Sequence, residues 1–306
     1  MDEVTTKQLR ERGYGDHEIA ALVRAGQLVR VRRGIYAAGP ADGRKTSELE
    51  AYRSRIRAAV LARGQHAVVS HASAAAMWGL PLRRVATRLV HLTAPALTRG
   101  RAKAGVRVAT ACLQAEEMTL VDGVLCTSVA RTIADLARTE PGGWALAAAD
   151  EALRTSLVTG DELQTAVGRL SGARGVPQAR RIVSWADARS GSVGESLSRH
   201  LFIRAGLAPD DLQHQLRHEG CFDIVDFWWA PRLAGEFDGR LKYRLDNPSG
   251  RDIEDVLWQE KQREDRLRRQ GVHFARWTWD DVTHRPDDLL GRIRAGLRDV
   301  RSMNAA

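Results

Sequence analysis

Two adjoining runs in the C-terminal third, Phe222-Asp223-Ile224-Val225-Asp226-Phe227-Trp228-Trp229 and Leu233-Ala234-Gly235-Glu236-Phe237-Asp238-Gly239, set carboxylates among aromatic and aliphatic residues. A carboxylate is expensive to desolvate unless it is paired, hydrogen-bonded or holding a cation. Any fold that contains these runs must therefore supply a partner for each acid. Both runs read as strands, and Ala230-Pro231-Arg232 reads as the turn of a hairpin between them. Side chains two apart share a face, so Glu236 and Asp238 project together while Phe237 points into the core. Two partners are open. Convergent carboxylates from adjacent strands make a hard-oxygen site suited to Mg²⁺ or Mn²⁺. Alternatively, the acids sit at a strand end and pair with Arg232, Arg240 or Arg244.

Around these strands, residues 191–306 read as an α/β domain with a central mixed sheet. Ser192 caps a helix carrying Glu195, Leu197 and Phe202. A long charged helix runs from about Ile253 to Gln270 and stops at Gly271. Val272–Trp277 is a last strand, and Pro286 opens a terminal helix. His214, His218 and Cys221 lack the fourth ligand of a zinc cage. The tryptophans at 228, 229, 258, 277 and 279 read as core beneath the sheet, with base stacking as the alternative.

Charge is segregated along the chain. The 306 residues carry 47 basic and 38 acidic side chains, net +9, yet residues 51–110 hold 11 basic groups and no acid. A polyanion is the natural partner of such a stretch, and Arg53, Arg57, Arg83 and Arg84 are its candidate phosphate contacts. The alternative is a solvated face balanced by the acids that follow. Three cysteines without a CxxC pair argue against a disulfide framework, the N-terminus has no apolar leader, and no long apolar run is present. A cytoplasmic chain with no membrane partner is expected.

Glycine-containing joints near 39–43 and 189–192 divide the chain into segments 1–39, 44–190 and 191–306. In the first, Thr5 or Thr6 caps a short helix holding Leu9. Asp16 caps a second with Ile19, Leu22 and Val23, and Leu28–Val31 and Ile35-Tyr36 flank Arg32-Arg33-Gly34 as a hairpin. That is the layout of a winged helix-turn-helix, with the second helix in the major groove and Arg30, Arg32 and Arg33 at the wing. The string Leu9, Gly13, Ile19, Leu22-Val23, Gly26-Gln27-Leu28, Val31-Arg32-Arg33-Gly34-Ile35-Tyr36 resembles the N-terminal domain of AbiEi-type antitoxins. The run Ser70-His71-Ala72-Ser73-Ala74-Ala75, closed by Gly79-Leu80-Pro81, and Thr127-Ser128-Val129-Ala130-Arg131-Thr132 with Asp135-Leu136 are similar to the family's second, α/β domain. The resemblance implies DNA binding and a nucleotidyltransferase-type toxin as partner. A Ser70–His71 nucleophile is not expected, because neighbours at a helix start do not face each other and no acid is near in sequence.

Glu195, Asp226, Glu236-Phe237-Asp238-Gly239, Lys242-Tyr243 and Glu260–Leu267 resemble the very-short-patch-repair-like branch of the PD-(D/E)XK nucleases. The resemblance implies a restriction-endonuclease-like fold and metal-assisted hydrolysis of DNA. Asp226 and Glu236 would ligate the metal with Asp238 as a third or more distant ligand, and Glu195 would complete the acidic cluster. Lys242, or secondarily Lys261, would hold the phosphate or orient the water. Asp238 stands where that superfamily typically has lysine. Two functions compete: a DNA endonuclease steered by a DNA-binding module, and an AbiEi-type repressor whose nuclease-like domain is non-catalytic.

Overall fold

The computed structural model describes residues 3–40, 45–63, 67–94, 102–103, 105–218, 221–239 and 253–304. Contacts divide the chain into two compact units, Met1–Glu140 with Leu157–Ser184, and Pro141–Ser156 with Trp185–Ala306.

The first unit opens with β1 (Val4–Thr5), α1 (Thr6–Glu11), α2 (Asp16–Arg24), β2 (Leu28–Arg32) and β3 (Ile35–Ala38). Thr5 caps α1, its hydroxyl accepting from the Gln8 amide while Gln8 reaches back to the Thr5 N–H at 2.8 Å. Asp16 does not cap α2. Gly15 holds that position, and Glu18 accepts its N–H at 2.6 Å. Asp16, the first helical residue, instead accepts from Arg10 Nη2 with both carboxylate oxygens, at 2.9 and 3.0 Å. The strands pair in the order β1-β3-β2, so two helices and a hairpin flanked by a short third strand make up the winged helix-turn-helix layout. Leu9, Ile19, Ile35 and Ala37 form its core. Gly39 is fixed by a close approach: a Cβ there would lie 1.7 Å from the Gly26 carbonyl oxygen.

After α3 (Glu48–Leu61) the same unit builds a mixed sheet from β4 (Val68–Val69), β5 (Val90–Ala94), β6 (Ala102–Lys103), β7 (Val106–Thr110), β8 (Met118–Val121) and β9 (Val124–Thr127), in the order β6-β7-β5-β4-β9-β8. Between β4 and β5 lies α4 (His71–Trp78), buried from His71 through Met77 because its alanines let neighbours close on every side. Tyr52 and Ile56 of α3, Met77 of α4 and Leu92 of β5 share one core. Helix α5 (Val129–Thr139) is capped by Ser128. Helices α7 (Gly160–Arg169) and α8 (Val176–Trp185) follow α6 (Gly142–Arg154).

Helix α6 belongs by contact to the second unit, although it precedes the joint at 189–192. There it packs on α9 (Val193–Arg204). The remaining elements are β10 (Asp211–His218), β11 (Cys221–Trp229), β12 (Leu233–Asp238), α10 (Ile253–Arg269), β13 (His273–Thr278), α11 (Trp279–Thr283) and α12 (Pro286–Asn304). The sheet runs β10-β11-β12-β13, with β12 and β13 parallel across the α10 crossover and the other neighbours antiparallel. Phe202, Phe227, Trp229 and Trp277 interlock on the α9 and α12 side, while Val225, Trp228 and Leu267 pack together on the other. Trp228, Trp229 and Trp277 are thus core, and Trp258 is exposed. The chain has a multidomain α/β architecture with mixed sheets. Among the described residues no helix is long and apolar enough to cross a membrane.

Gly194 of α9 leaves room for the Phe237 ring, whose nearest carbon would lie 2.0 Å from an added Cβ. Gly194→Ala gains helix propensity worth about 1 kcal/mol but overpacks the core at a cost of about 1–3 kcal/mol. A net loss of stability in urea denaturation is expected, and a stabilised variant would contradict the packing.

Candidate nucleic-acid interface

The wing is assembled from local signals. Gly34, at φ +73°, turns the hairpin, and the register shifts between Arg30 and Arg32. Arg30 and Arg33 are exposed and Arg32 is half-buried. Among the described residues none of the three meets a carboxylate, so their guanidiniums are available to a ligand. On α2, His17, Ala21 and Arg24 are exposed at i, i+4 and i+7, on one face. Helical spacing from the buried Ile19 is the sequence signal that defines this face.

The basic stretch is used differently. Arg57 donates to Glu3 at 2.6 Å, a carboxylate whose side chain is 1% exposed, tying α3 to the start of β1. Arg53 donates to the Ala76 carbonyl at 2.8 Å. Arg55 donates to the Thr87 carbonyl at 2.9 Å and lies over the Tyr52 ring. Arg83 is half-buried. Arg84 is exposed and paired with Glu48. Arg53 and Arg57 are therefore packing and anchoring groups in this fold, and of the remaining two candidates only Arg84 is exposed.

Ser70 and His71 do face each other. His71 takes a left-handed φ of 51°, which sets Nδ1 3.0 Å from Ser70 Oγ. An acid lies beyond, Asp135 Oδ1 at 3.9 Å from Nε2. Ser70 is nevertheless fully buried and accepts from the Thr93 hydroxyl, and Asp135 is held by Arg131 at 3.0 Å and Arg138 at 2.9 Å. The group is a closed polar network in the core. Burial pushes the His71 imidazole below its ordinary range, and desolvation brings His91 and His200 down to about 4.

The acids of the second unit separate into two sets. Asp226 accepts the Phe237 amide at 2.9 Å and the Gln213 amide at 3.3 Å. The same Gln213 group donates to Glu195 at 3.1 Å, and Glu195 also accepts from Gly191 N–H and Ser192 Oγ, both at 2.8 Å. Glu236 instead meets two guanidiniums, Arg263 and Arg276, each at 2.8 Å. Arg263 also donates to the Ile224 carbonyl, and Arg266 holds Asp223 at 2.9 Å. Asp238 ends β12 opposite Thr278. Lys261 is exposed on α10, and Lys242 lies outside the described residues, as do Arg240 and Arg244. His214 is bonded to Asp211 at 2.8 Å and stacked on Trp228.

Among the described residues no group of three or more His, Cys, Asp or Glu is placed to hold a metal ion. This overturns the expectation of a Mg²⁺ or Mn²⁺ cofactor, and with it the metal-dependent endonuclease, its hydrolase chemistry and the metal-ligand roles given to Asp226, Glu236 and Asp238. At Glu236 the physical reason is that arginine supplies the positive charge its partly buried carboxylate requires.

Residues 4–39 match the family described as "Transcriptional regulator, AbiEi antitoxin", so the N-terminal segment is an AbiEi-like domain. Two Mycobacterium tuberculosis proteins, MT2308 of strain CDC 1551 / Oshkosh and Rv2248 of strain ATCC 25618 / H37Rv, are each 31% identical to the chain over 286 residues, 93% of this chain and 97% of theirs. The chain belongs to their family. Both carry the description "Uncharacterized protein". The crystal structure of the RV2827C protein from the same organism is 16% identical, covering 71% of this chain and 84% of its own, at a TM-score of 0.42. None of these likenesses speaks for a nucleotidyltransferase partner.

Two measurements test the buried groups. His91 and His200 have folded pKa values depressed from 6.5 to about 4, so the unfolded chain binds more protons between those limits. Stability is full above about 6.5 and is lost as pH falls toward 4. The melting temperature should drop across that window, and His91→Asn with His200→Asn should flatten the drop; an unaltered pH profile in the double variant would contradict buried neutral imidazoles. For the acidic strands, Arg276→Met removes one of the Glu236 partners and should cost about 1–3 kcal/mol in chemical denaturation, while millimolar Mg²⁺ leaves the wild-type melting temperature in place. A metal-induced rise would contradict the arginine pairing as the resting state of Glu236.

Proposed function

We propose that the chain is a DNA-binding regulator of the AbiEi antitoxin type, with the wing and α2 as its DNA-reading surface and a C-terminal unit that acts without catalysis. The observation that carries this reading is the coincidence of the AbiEi match over residues 4–39 with a wing whose three arginines lack carboxylate partners among the described residues. Arg30, Arg32 and Arg33 contact phosphates or the minor groove, and the outward face of α2, with His17 and Arg24, enters the major groove. Arg84, exposed and paired with Glu48, adds a sequence-independent phosphate contact by exchanging that carboxylate for phosphate, with Arg83 beside it as a second. A repressor of this kind would use the wing for register and α2 for base edges, since phosphate contacts position a protein without reading sequence.

Footprinting and a salt series on the DNA upstream of its own gene provide the test. Arg32→Ala with Arg33→Ala should weaken binding on all sequences alike and make the slope of log affinity against log salt shallower by about 2, with the melting temperature retained. An unchanged footprint would overturn the wing as a DNA contact.

A further inference from the structure

Helix α12 carries a row of arginines that the fold leaves open. Its inward residues Leu289, Ile293 and Val300 are buried in the core of the second unit. Arg294, Arg298 and Arg301 stand outward at i, i+4 and i+7, so they form one ridge. All three are exposed, and among the described residues none has an ion-pair or hydrogen-bond partner for its guanidinium. The contrast with Arg292 on the same helix is direct, since Arg292 is held by Asp281 at 2.7 Å. The ridge forms one wall of a cleft of about 370 Å³, floored by Trp229 and Leu297. One acid faces the cleft, Asp210, and one of its oxygens is already taken by the Ala230 amide at 2.8 Å.

We propose that this ridge binds the phosphodiester backbone of nucleic acid, as a second contact surface on a unit separate from the winged helix. The guanidinium fork matches phosphate oxygens in bidentate geometry. Three forks in a row fit a ligand whose negative charge repeats at a fixed interval. With a rise of about 1.5 Å per residue the ridge is about 10 Å long, the axial length over which one strand of a duplex advances by about three phosphates. Trp229 is 3% exposed and gives its indole N–H to the Leu207 carbonyl at 2.9 Å. It is therefore a floor and not a stacking platform, and the ridge reads charge and spacing without reading bases. The proposal rests on the reading of the chain as a nucleic-acid-binding protein but depends on different residues from the wing.

The full chain is titrated with a short fluorescein-labelled duplex of random sequence across a salt series, followed by anisotropy. Arg294→Gln/Arg298→Gln/Arg301→Gln should make the salt slope shallower by about 2.7 at an unchanged melting temperature. The corresponding triple lysine variant should keep the wild-type slope, because it retains the charge. If both triple variants bind as the wild type does, the ridge is overturned, while a loss of binding in the Arg32→Ala/Arg33→Ala variant keeps the wing reading alive. If the wing variant binds normally and the glutamine variant loses slope, the ridge stands and the wing reading fails. Poly-glutamate serves as the competing probe. If it binds as tightly as the duplex at equal salt and through the same three arginines, the ligand is an acidic polypeptide and the proposal is wrong.

Discussion

A buried guanidinium needs carboxylates and carbonyls to take its donors, and within each unit that need fixes which helices pack together. In the first unit Arg131, 4% exposed, donates from Nε to Asp135 at 3.0 Å and from Nη1 to Glu117 at 2.8 Å. Asp135 also holds Arg138, whose Nη2 reaches His71 Nε2 at 3.3 Å. One carboxylate thereby links α5 to the start of α4 and, through Arg131, to the turn before β8. In the second unit Arg199 grips both oxygens of Asp150, at 2.7 and 2.6 Å, and Asp150 further accepts from Ser196 Oγ and the Asp187 amide. Removing one member of such a pair strands a buried charge at a cost of about 3–5 kcal/mol. This is why α6 goes with α9 although a long stretch of chain separates them.

The same requirement explains what the sequence reading of the acidic strands caught and what it missed. That these carboxylates need partners follows from composition and strand period alone. Which partner is used does not, because the arginines that engage Glu236 among the described residues, Arg263 and Arg276, are remote from it in sequence. Arg276 sits directly opposite Glu236 in the parallel β12–β13 register, and Arg263 comes from the crossover helix between those strands. Parallel pairing joins segments that are remote in sequence, and no local turn fixes its register. Reading β12 and β13 each as a strand could not place Arg276 across from Glu236.

The winged segment was legible for the opposite reason. Its signals are local: the Thr5 capping box, the stop at Gly26, the turn at Gly34, and Ile19 and Ile35 in the core. The error at Asp16 is one residue wide and has a cause. Glycine at the cap carries no side chain to announce itself, and Glu18 does the capping from inside the helix. Strand β10 was unread because Asp211–His218 is largely polar and is interrupted by Gln213 at a left-handed φ of 50°. The pairing of Arg131 with Asp135, four residues apart on one helix, was readable in advance and is present at 3.0 Å.

Net charge belongs to a sequence, whereas available charge belongs to a fold. Residues 51–110 hold 11 basic groups and no acid, which by itself points to a phosphate-binding surface. Within α3, however, Arg53 and Arg55 spend donors on carbonyls and Arg57 neutralises Glu3 from outside the segment. The local field is therefore weaker than the count implies. By contrast, a few arginines scattered through unremarkable composition, at the wing and along α12, keep their donors open toward solvent. Phosphate attraction scales with the guanidiniums a ligand can reach, so the nucleic-acid surfaces proposed for this chain lie where the fold leaves guanidiniums without carboxylates, not where the sequence is richest in arginine.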